Sequence, residues 1–134
     1  MYPEGKHILV IDSDMAHRRL SERLLVDERF AVTSVAEGFS AIRAATATRF
    51  ALVVAALDLP GTLDGMTAMR LLRARQPWLR ALYTGPATGR PLLLDRNRDD
   101  FIAFPFRRRE LLGCVFELLQ RESLIHRDRG LTIG

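Results

Sequence analysis

The sequence predicts an α/β fold, a doubly wound five-stranded parallel sheet with helices on both faces. Short apolar segments alternate with helical patterns about five times along the chain, which is typical of parallel strands joined by helical crossovers. Three of the apolar segments are almost wholly apolar instead of alternating, which favours strands covered on both faces.

Five segments have the length and composition of strands. They are residues 7–11 (HILVI), 31–35 (AVTSV), 51–56 (ALVVAA), 80–84 (RALYT) and 101–104 (FIAF). The carboxyl ends of parallel strands meet at one edge of the sheet, and such folds bind ligands beyond that edge. We therefore expect the chemistry of this protein at Asp12, Ala56, Thr84 and Phe104.

Helical patterns lie between and after these strands. An amphipathic helix begins at Asp14, an acidic residue that suits a helix start. The further predicted helices are residues 40–48, 66–76 before the stop at Pro77, 92–98 and 110–121. The mixed charge and glycines of residues 126–134 predict a frayed end or an arm lying on a partner.

Length and composition predict one domain over residues 1–134, with a core at about 6–121 and a C-terminal tail at 122–134. The chain has 134 residues, of which 48% are hydrophobic, enough for a single core. Cys114 is the only cysteine, and the first residues lack the pattern of a signal peptide. No apolar stretch approaches the ~20 residues of a membrane span. We expect a soluble cytoplasmic protein.

The charge balance gives little indication of a nucleic-acid partner. The formal net charge is +4, and the pI is about 10.2. Lys6 is the only lysine, so all other basic side chains apart from histidine are arginines. Acidic residues are scattered among the arginines instead of leaving one basic surface. Nucleic-acid binding is therefore not expected.

Four motifs stand in order at the predicted strand ends. They are ILVIDSD after the first strand, LDLPGTLDG after the third, YTG at the fourth and FPF at the fifth. Together they make residues 6–121 resemble the response regulator receiver domain of two-component signalling. The resemblance implies the flavodoxin-like fold of five β–α units.

The resemblance also implies a chemistry. Receivers take a phosphoryl group from a kinase histidine onto an aspartate after the third strand, with Mg²⁺ on an acidic pair and with a hydroxyl and a lysine beside the phosphate. Carried over position by position, the acidic pair falls on Asp12 and Ser13, the acceptor on Ala56, the hydroxyl on Thr84, the lysine on Phe104 and the following proline on Pro105.

Three of these positions depart from the family pattern. Ala56 has a methyl group where a nucleophile is required. Ser13 is a poorer Mg²⁺ ligand than a carboxylate, which leaves Asp12 as a weak metal candidate, and Phe104 lacks the charge that phosphoryl transfer needs. We expect a degenerate pseudo-receiver without enzyme activity, with Mg²⁺ binding weak or absent, which acts through protein–protein interaction.

Two alternatives remain open. The stretch ILVIDSDMA also resembles haloacid dehalogenase-like phosphatases, with Asp12 as nucleophile and Asp14 as acid and base, although LDLPGTLDG and FPF are then unexplained. In the other alternative the chain is a receiver phosphorylated at a displaced aspartate, Asp58. Against the displaced site, carboxylates at strand and helix ends are commonly caps, and Asp14 suits that role. Against the phosphatase, the expected motif around a downstream lysine or arginine is missing, and the chain is short for that fold.

The resemblance places the interaction surface on the face of the fourth and fifth strands and helices. The switch residues of receivers fall on Thr84 and Phe101. Arg107, Arg108 and Arg109 open the last helix, where positive charge opposes the helix dipole, so this run suits a protein partner unless it is only a solvated cluster. The expected partners are a histidine kinase, another receiver or a second copy of the chain.

The three histidines do not predict a metal site. His7, His17 and His126 share no spacing with one another or with other ligating residues. We expect them at ordinary surface or helix positions.

Overall fold

The computed structural model describes the backbone of residues 6–133 and the side chains of residues 6–121. Its strands are β1 His7–Ile11, β2 Ala31–Val35, β3 Leu52–Ala56, β4 Arg80–Pro86 and β5 Asp99–Phe104. They form one sheet in the order β2-β1-β3-β4-β5, and every neighbouring pair is parallel. The predicted fold class is confirmed.

The helices cover both faces of the sheet. They are α1 Met15–Asp27, α2 Gly38–Ala45, α3 Gly65–Arg75 and α4 Arg108–Ile133, and a 3₁₀ turn spans Ala87–Gly89. Alternate strand residues point to opposite faces. Val10 packs in the core cluster that includes residues of α1 and α4, whereas Leu9 packs in the cluster that includes residues of α2 and α3.

The predicted helix at residues 92–98 is wrong. Between β4 and β5 the chain forms only the 3₁₀ turn and a turn at Asp95, whose backbone carbonyl accepts hydrogen bonds from the amides of Arg98 and Asp99. Three consecutive leucines supply no helical stripe: Leu94 packs against the core, whereas Leu92 and Leu93 are 98% and 87% exposed.

The last helix is longer than the predicted 110–121. It begins at Arg108, preceded by a hydrogen bond of 2.7 Å from the amide of Arg107 to Oε1 of Glu110, and its backbone continues to Ile133, through most of the predicted tail. The predicted contact of that tail with a partner lies outside the described side chains. None of the described helices has the length and apolar character needed to cross a membrane.

Gln76 joins three elements on the α2 and α3 face. Its side chain is buried; Nε2 donates to the carbonyls of Ala45 and Thr48 at 3.0 and 2.8 Å, and Oε1 accepts from the amide of Phe50 at 2.9 Å. The end of α3 is thereby fixed to the end of α2 and to the chain that enters β3. Backbone groups that water cannot reach depend on these hydrogen bonds.

We predict that Gln76→Ala lowers the free energy of unfolding by about 2–4 kcal/mol, because it leaves buried backbone groups without partners. Chemical denaturation measures the change. The exposed Gln120 provides a matched control, since Gln120→Ala should alter stability by no more than about 0.5 kcal/mol. Equal effects of the two substitutions would contradict the role given to Gln76.

Candidate functional site

The predicted site residues meet at the carboxyl edge of the sheet. Ile11 pairs with Ala55 in the register of β1 and β3, so Asp12 and Ala56 leave that edge side by side. Ala56 pairs with Thr84 of β4, and the amide of Leu57 donates to the carbonyl of Thr84 at 2.9 Å. Asp12, Ala56 and Thr84 are all buried. The parallel register therefore brings together a carboxylate, a methyl group and a hydroxyl.

Asp12 is held in contacts with the beginning of α1. Its Oδ1 accepts from the amide of Asp14 at 2.9 Å, and its backbone carbonyl accepts from Nη1 of Arg18 at 2.8 Å. The side chain is only 6% exposed. Burial raises the pKa of Asp12 above its ordinary value, while the hydrogen bond from Asp14 and the nearby His17 act in the opposite direction. This carboxylate orients the loop that leads into α1.

Asp14 is the N-cap of α1. It is exposed, and its Oδ1 accepts from the amide of His17 at 3.0 Å. That hydrogen bond is the main cause that lowers the pKa of Asp14. Ser13, between the two aspartates, is exposed. Among the residues that the structure describes, no three histidine, cysteine or acidic side chains lie together as a metal site requires.

An aromatic stack occupies the end of β5. The ring of Phe104 lies 3.8 Å from that of His17, with 17° between their planes, and 5.0 Å from that of Phe106. Phe104 is half-buried, and Pro105 follows it through a cis peptide bond and is exposed. The position to which the resemblance assigns a lysine is thus occupied by an apolar ring that connects β5 to α1.

His17 is a site residue that sequence reasoning missed. It was expected at an ordinary surface or helix position, because the three histidines share no spacing that would make a metal site, and its partner Phe104 is far away along the chain. The signal was its place one turn after Asp14 in a helix that begins at the carboxyl edge. The first turn of α1, which carries His17, therefore lies beside the ends of the strands.

The loop between β3 and α3 packs closely on the edge. Leu59 and Leu63 are buried, and a Cβ placed on Gly65 would lie only 2.2 Å from the carbonyl oxygen of Ala56. Glycine is therefore required where α3 begins against the end of β3. Asp58 points outward from this loop and is exposed, two positions beyond Ala56.

Phe101 of β5 and Thr84 of β4, the two positions assigned to the switch, are both buried. Burial was expected for the ring of Phe101. The guanidinium of Arg90 lies 4.8 Å from the centre of the Phe101 ring, a distance at which cation and ring attract each other. The ring is therefore covered by the connection between β4 and β5.

The three arginines before and at the start of α4 are exposed but differ in their contacts. Arg108 bridges to α1, with Nη2 at 2.8 Å from Oε2 of Glu28 and Nη1 at 3.9 Å from Oδ2 of Asp27. Arg109 has no ion pair with any described side chain. The run predicted as an interaction surface thus divides into a residue that contacts α1 and a residue that is available to solvent.

We predict that Asp12→Asn raises the melting temperature at pH 7. The native pKa of Asp12 is raised above its ordinary 3.8 by burial, so the ionised carboxylate costs stability at neutral pH, and asparagine keeps the acceptor for the Asp14 amide. The difference should shrink as the pH falls through the native pKa and vanish below 3.8.

Asp14→Asn is the control, and it should lower the melting temperature at pH 7. Because the native pKa of Asp14 is lowered, its ionised form adds stability at neutral pH that is lost as the pH falls through the native value. Thermal melts from pH 3 to 8 would compare the two variants. A lower melting temperature of Asp12→Asn at pH 7 would contradict the unfavourable burial of the charge.

Similar proteins were found by sequence and by structure. PetR of Rhodobacter capsulatus is 31% identical over 132 residues, which are 96% of this chain and 55% of PetR, so the chain spans about half the length of this curated relative. A response regulator receiver protein from Sinorhizobium medicae covers 89% of the chain and 98% of its own length with a TM-score of 0.75 and 25% identity.

A further structural neighbour is the receiver domain of the sensor histidine kinase PA1611 from Pseudomonas aeruginosa, solved with a magnesium ion coordinated in its active-site cleft. It is 27% identical, has a TM-score of 0.73, and covers 87% of this chain and 98% of its own. Residues 8–115 match the family described as the response regulator receiver domain. The chain belongs to the response regulator receiver domain family of two-component signalling.

Proposed function

We propose that this receiver domain takes up no phosphoryl group and acts in two-component signalling by binding other proteins in the cytoplasm. One observation carries the proposal: at the carboxyl edge, β3 ends in the methyl group of Ala56 and β5 ends in the ring of Phe104 stacked on His17. Phosphoryl transfer needs a nucleophile and cations at the transferred oxygens. Neither position supplies them.

The remaining carboxylates support the same proposal. Oδ1 of Asp12 already accepts a hydrogen bond from the amide of Asp14, and Oδ1 of Asp14 caps α1. Asp12 without a second carboxylate at Ser13 leaves a divalent ion largely hydrated. We expect millimolar Mg²⁺ to change the melting temperature little, and we propose no enzymatic activity.

The interaction surface that we propose is formed by β5, α4 and the connection between β4 and β5. Leu92 and Leu93 are exposed on that connection, which Arg121 of α4 contacts through a hydrogen bond of 2.9 Å to the carbonyl of Arg96. Exposed leucines beside exposed arginines suit a partner with an apolar and acidic surface. A histidine kinase, another receiver or a second copy of the chain fits this description.

Incubation with acetyl phosphate and Mg²⁺ should give no added phosphoryl mass in intact-protein mass spectrometry. The matched comparison is the triple variant Ser13→Asp, Ala56→Asp and Phe104→Lys, which restores the family's residues and should gain one phosphoryl group. A stoichiometric adduct on the parent chain would overturn the proposal. An adduct on Asp58 would favour the receiver that is phosphorylated at a displaced aspartate. An adduct on Asp12 would favour the phosphatase alternative.

Charge reversal by Arg109→Glu should weaken self-association or kinase binding about tenfold with little loss of thermal stability, because Arg109 is exposed and has no ion pair within the described part of the chain. Arg108→Glu should also lower stability by up to about 1 kcal/mol, since it breaks the exposed bridge to Glu28.

Analytical ultracentrifugation would measure self-association, and titration against purified histidine kinase domains would measure kinase binding. Arg75→Glu is the matched control, because Arg75 is exposed on α3. If Arg109→Glu binds as the parent does while Arg75→Glu does not, the interaction surface lies on the α3 side of the domain.

A further inference from the structure

A cavity of about 490 Å³ opens between α3 and the strands β4 and β5. Its charged and polar lining consists of Arg70, Arg73, Tyr83, Arg98 and Asp99. The connection between β4 and β5 forms no α-helix. The volume lies within the usual range of small-molecule sites.

The base of the cavity is a fixed ion pair. Nη2 of Arg73 donates to Oδ1 of Asp99, and Nε of Arg73 donates to the carbonyl of Leu79 at 3.1 Å. Asp99 is buried, so its charge needs this partner. Its negative charge is therefore balanced within the protein.

Two guanidinium groups of the lining form no close ion pair. Arg70 and Arg98 have no ion pair with any described side chain; the charge of Arg70 helps to lower the pKa of Asp64, and Nη2 of Arg98 donates to the carbonyl of Pro77 at 3.2 Å. With Arg73 paired to Asp99, the lining carries two positive charges that are in no ion pair. A guanidinium has five N–H donors, so most of the donors of Arg70 and Arg98 are free for a ligand.

The rest of the lining is neutral. Met66, Ala74 and Pro77 contribute apolar surface. Burial, with the nearby Asp99, raises the pKa of Tyr83 to about 12, so its hydroxyl keeps its proton at neutral pH and adds no negative charge. The cavity thus combines an apolar wall with two cations.

We propose that this cavity binds a phosphorylated small molecule of about nucleotide size, with its phosphate on Arg70 and Arg98 and its organic part against Met66, Ala74 and Pro77. Guanidinium groups bind phosphate oxygens through paired, charge-assisted hydrogen bonds. A dianionic phosphate monoester matches the two positive charges of Arg70 and Arg98.

The acidic and two of the basic groups of the cavity, Asp99, Arg73 and Arg98, lie away from the carboxyl edge. Arg98 and Asp99 stand at the beginning of β5, whereas Phe104 ends the same strand. A ligand here needs no phosphoryl acceptor at Ala56. The proposal is therefore independent of the proposed loss of phosphorylation, and either can fail alone.

Isothermal titration at low ionic strength would test binding of AMP, inorganic phosphate, pyrophosphate, adenosine and citrate. We expect AMP to bind with a Kd of roughly 1 mM or tighter, inorganic phosphate more weakly and adenosine not measurably. No saturable binding of any of the three phosphates below ~10 mM would overturn the proposal. Citrate binding as tightly as AMP would also overturn it, because the site then selects carboxylates.

Substitution locates the site. Arg70→Gln and Arg98→Gln should each weaken AMP binding roughly tenfold, the loss expected for one charge-assisted contact. Arg75→Gln is the matched control, since Arg75 lies on the same helix outside the cavity lining and should bind AMP as the parent does. Equal losses in all three variants would show general charge attraction and overturn the assignment, as would unchanged binding in both cavity variants.

Discussion

The parallel register of the five strands is the constraint on which the rest of this structure depends. Each central strand is buried on both faces, so a shift of one residue in the pairing would turn its side chains to the opposite core. The register that satisfies both cores also fixes Asp12, Ala56 and Thr84 at one edge. A protein with this core keeps the geometry of a receiver site whatever residues occupy it.

At that edge, the contacts of Phe104 and Leu59 are apolar, and those of Asp12 are structural. Phe104 stacks on His17 and on Phe106, and Leu59 packs in the same core cluster as Ala56. An ammonium group at the end of β5 has to reach water or an anion. Phe104 needs neither, and its stack closes the space between β5 and α1. Asp12 remains because it orients the beginning of α1, even though burial disfavours its charge.

Most of the fold was predictable, because it follows from local patterns. The bounds of β1 and β2 agree with the structure to the residue, and β1 lies between the polar residues Lys6 and Asp12. The predicted helix at residues 92–98 was wrong, because three adjacent leucines distribute around a helix instead of forming one face. The continuation of α4 beyond Arg121 was not predicted, because the glycines and mixed charges of that segment favour the end of a helix.

The site was predictable in its positions and not in its contacts. Strand ends identified Asp12, Ala56, Thr84 and Phe104, because topology alone brings them to one edge. The stack of Phe104 on His17 joins residues distant in the sequence, and no periodicity connects them. The arginines around Asp99 were equally invisible, since Arg73 lies on α3 and Arg98 precedes β5.

The arginines of this chain, which has one lysine, differ in the contacts that they make. Arg73 neutralises a buried aspartate, Arg108 joins α4 to α1, and Arg90 lies over the ring of Phe101. In each case the planar guanidinium meets a carboxylate or an aromatic face, which a lysine ammonium does less well. Arg70, Arg98 and Arg109 are among the arginines that form no ion pair with a side chain in the described part of the chain. The cavity beside α3 and the start of α4 are therefore two places where positive charge is available for recognition.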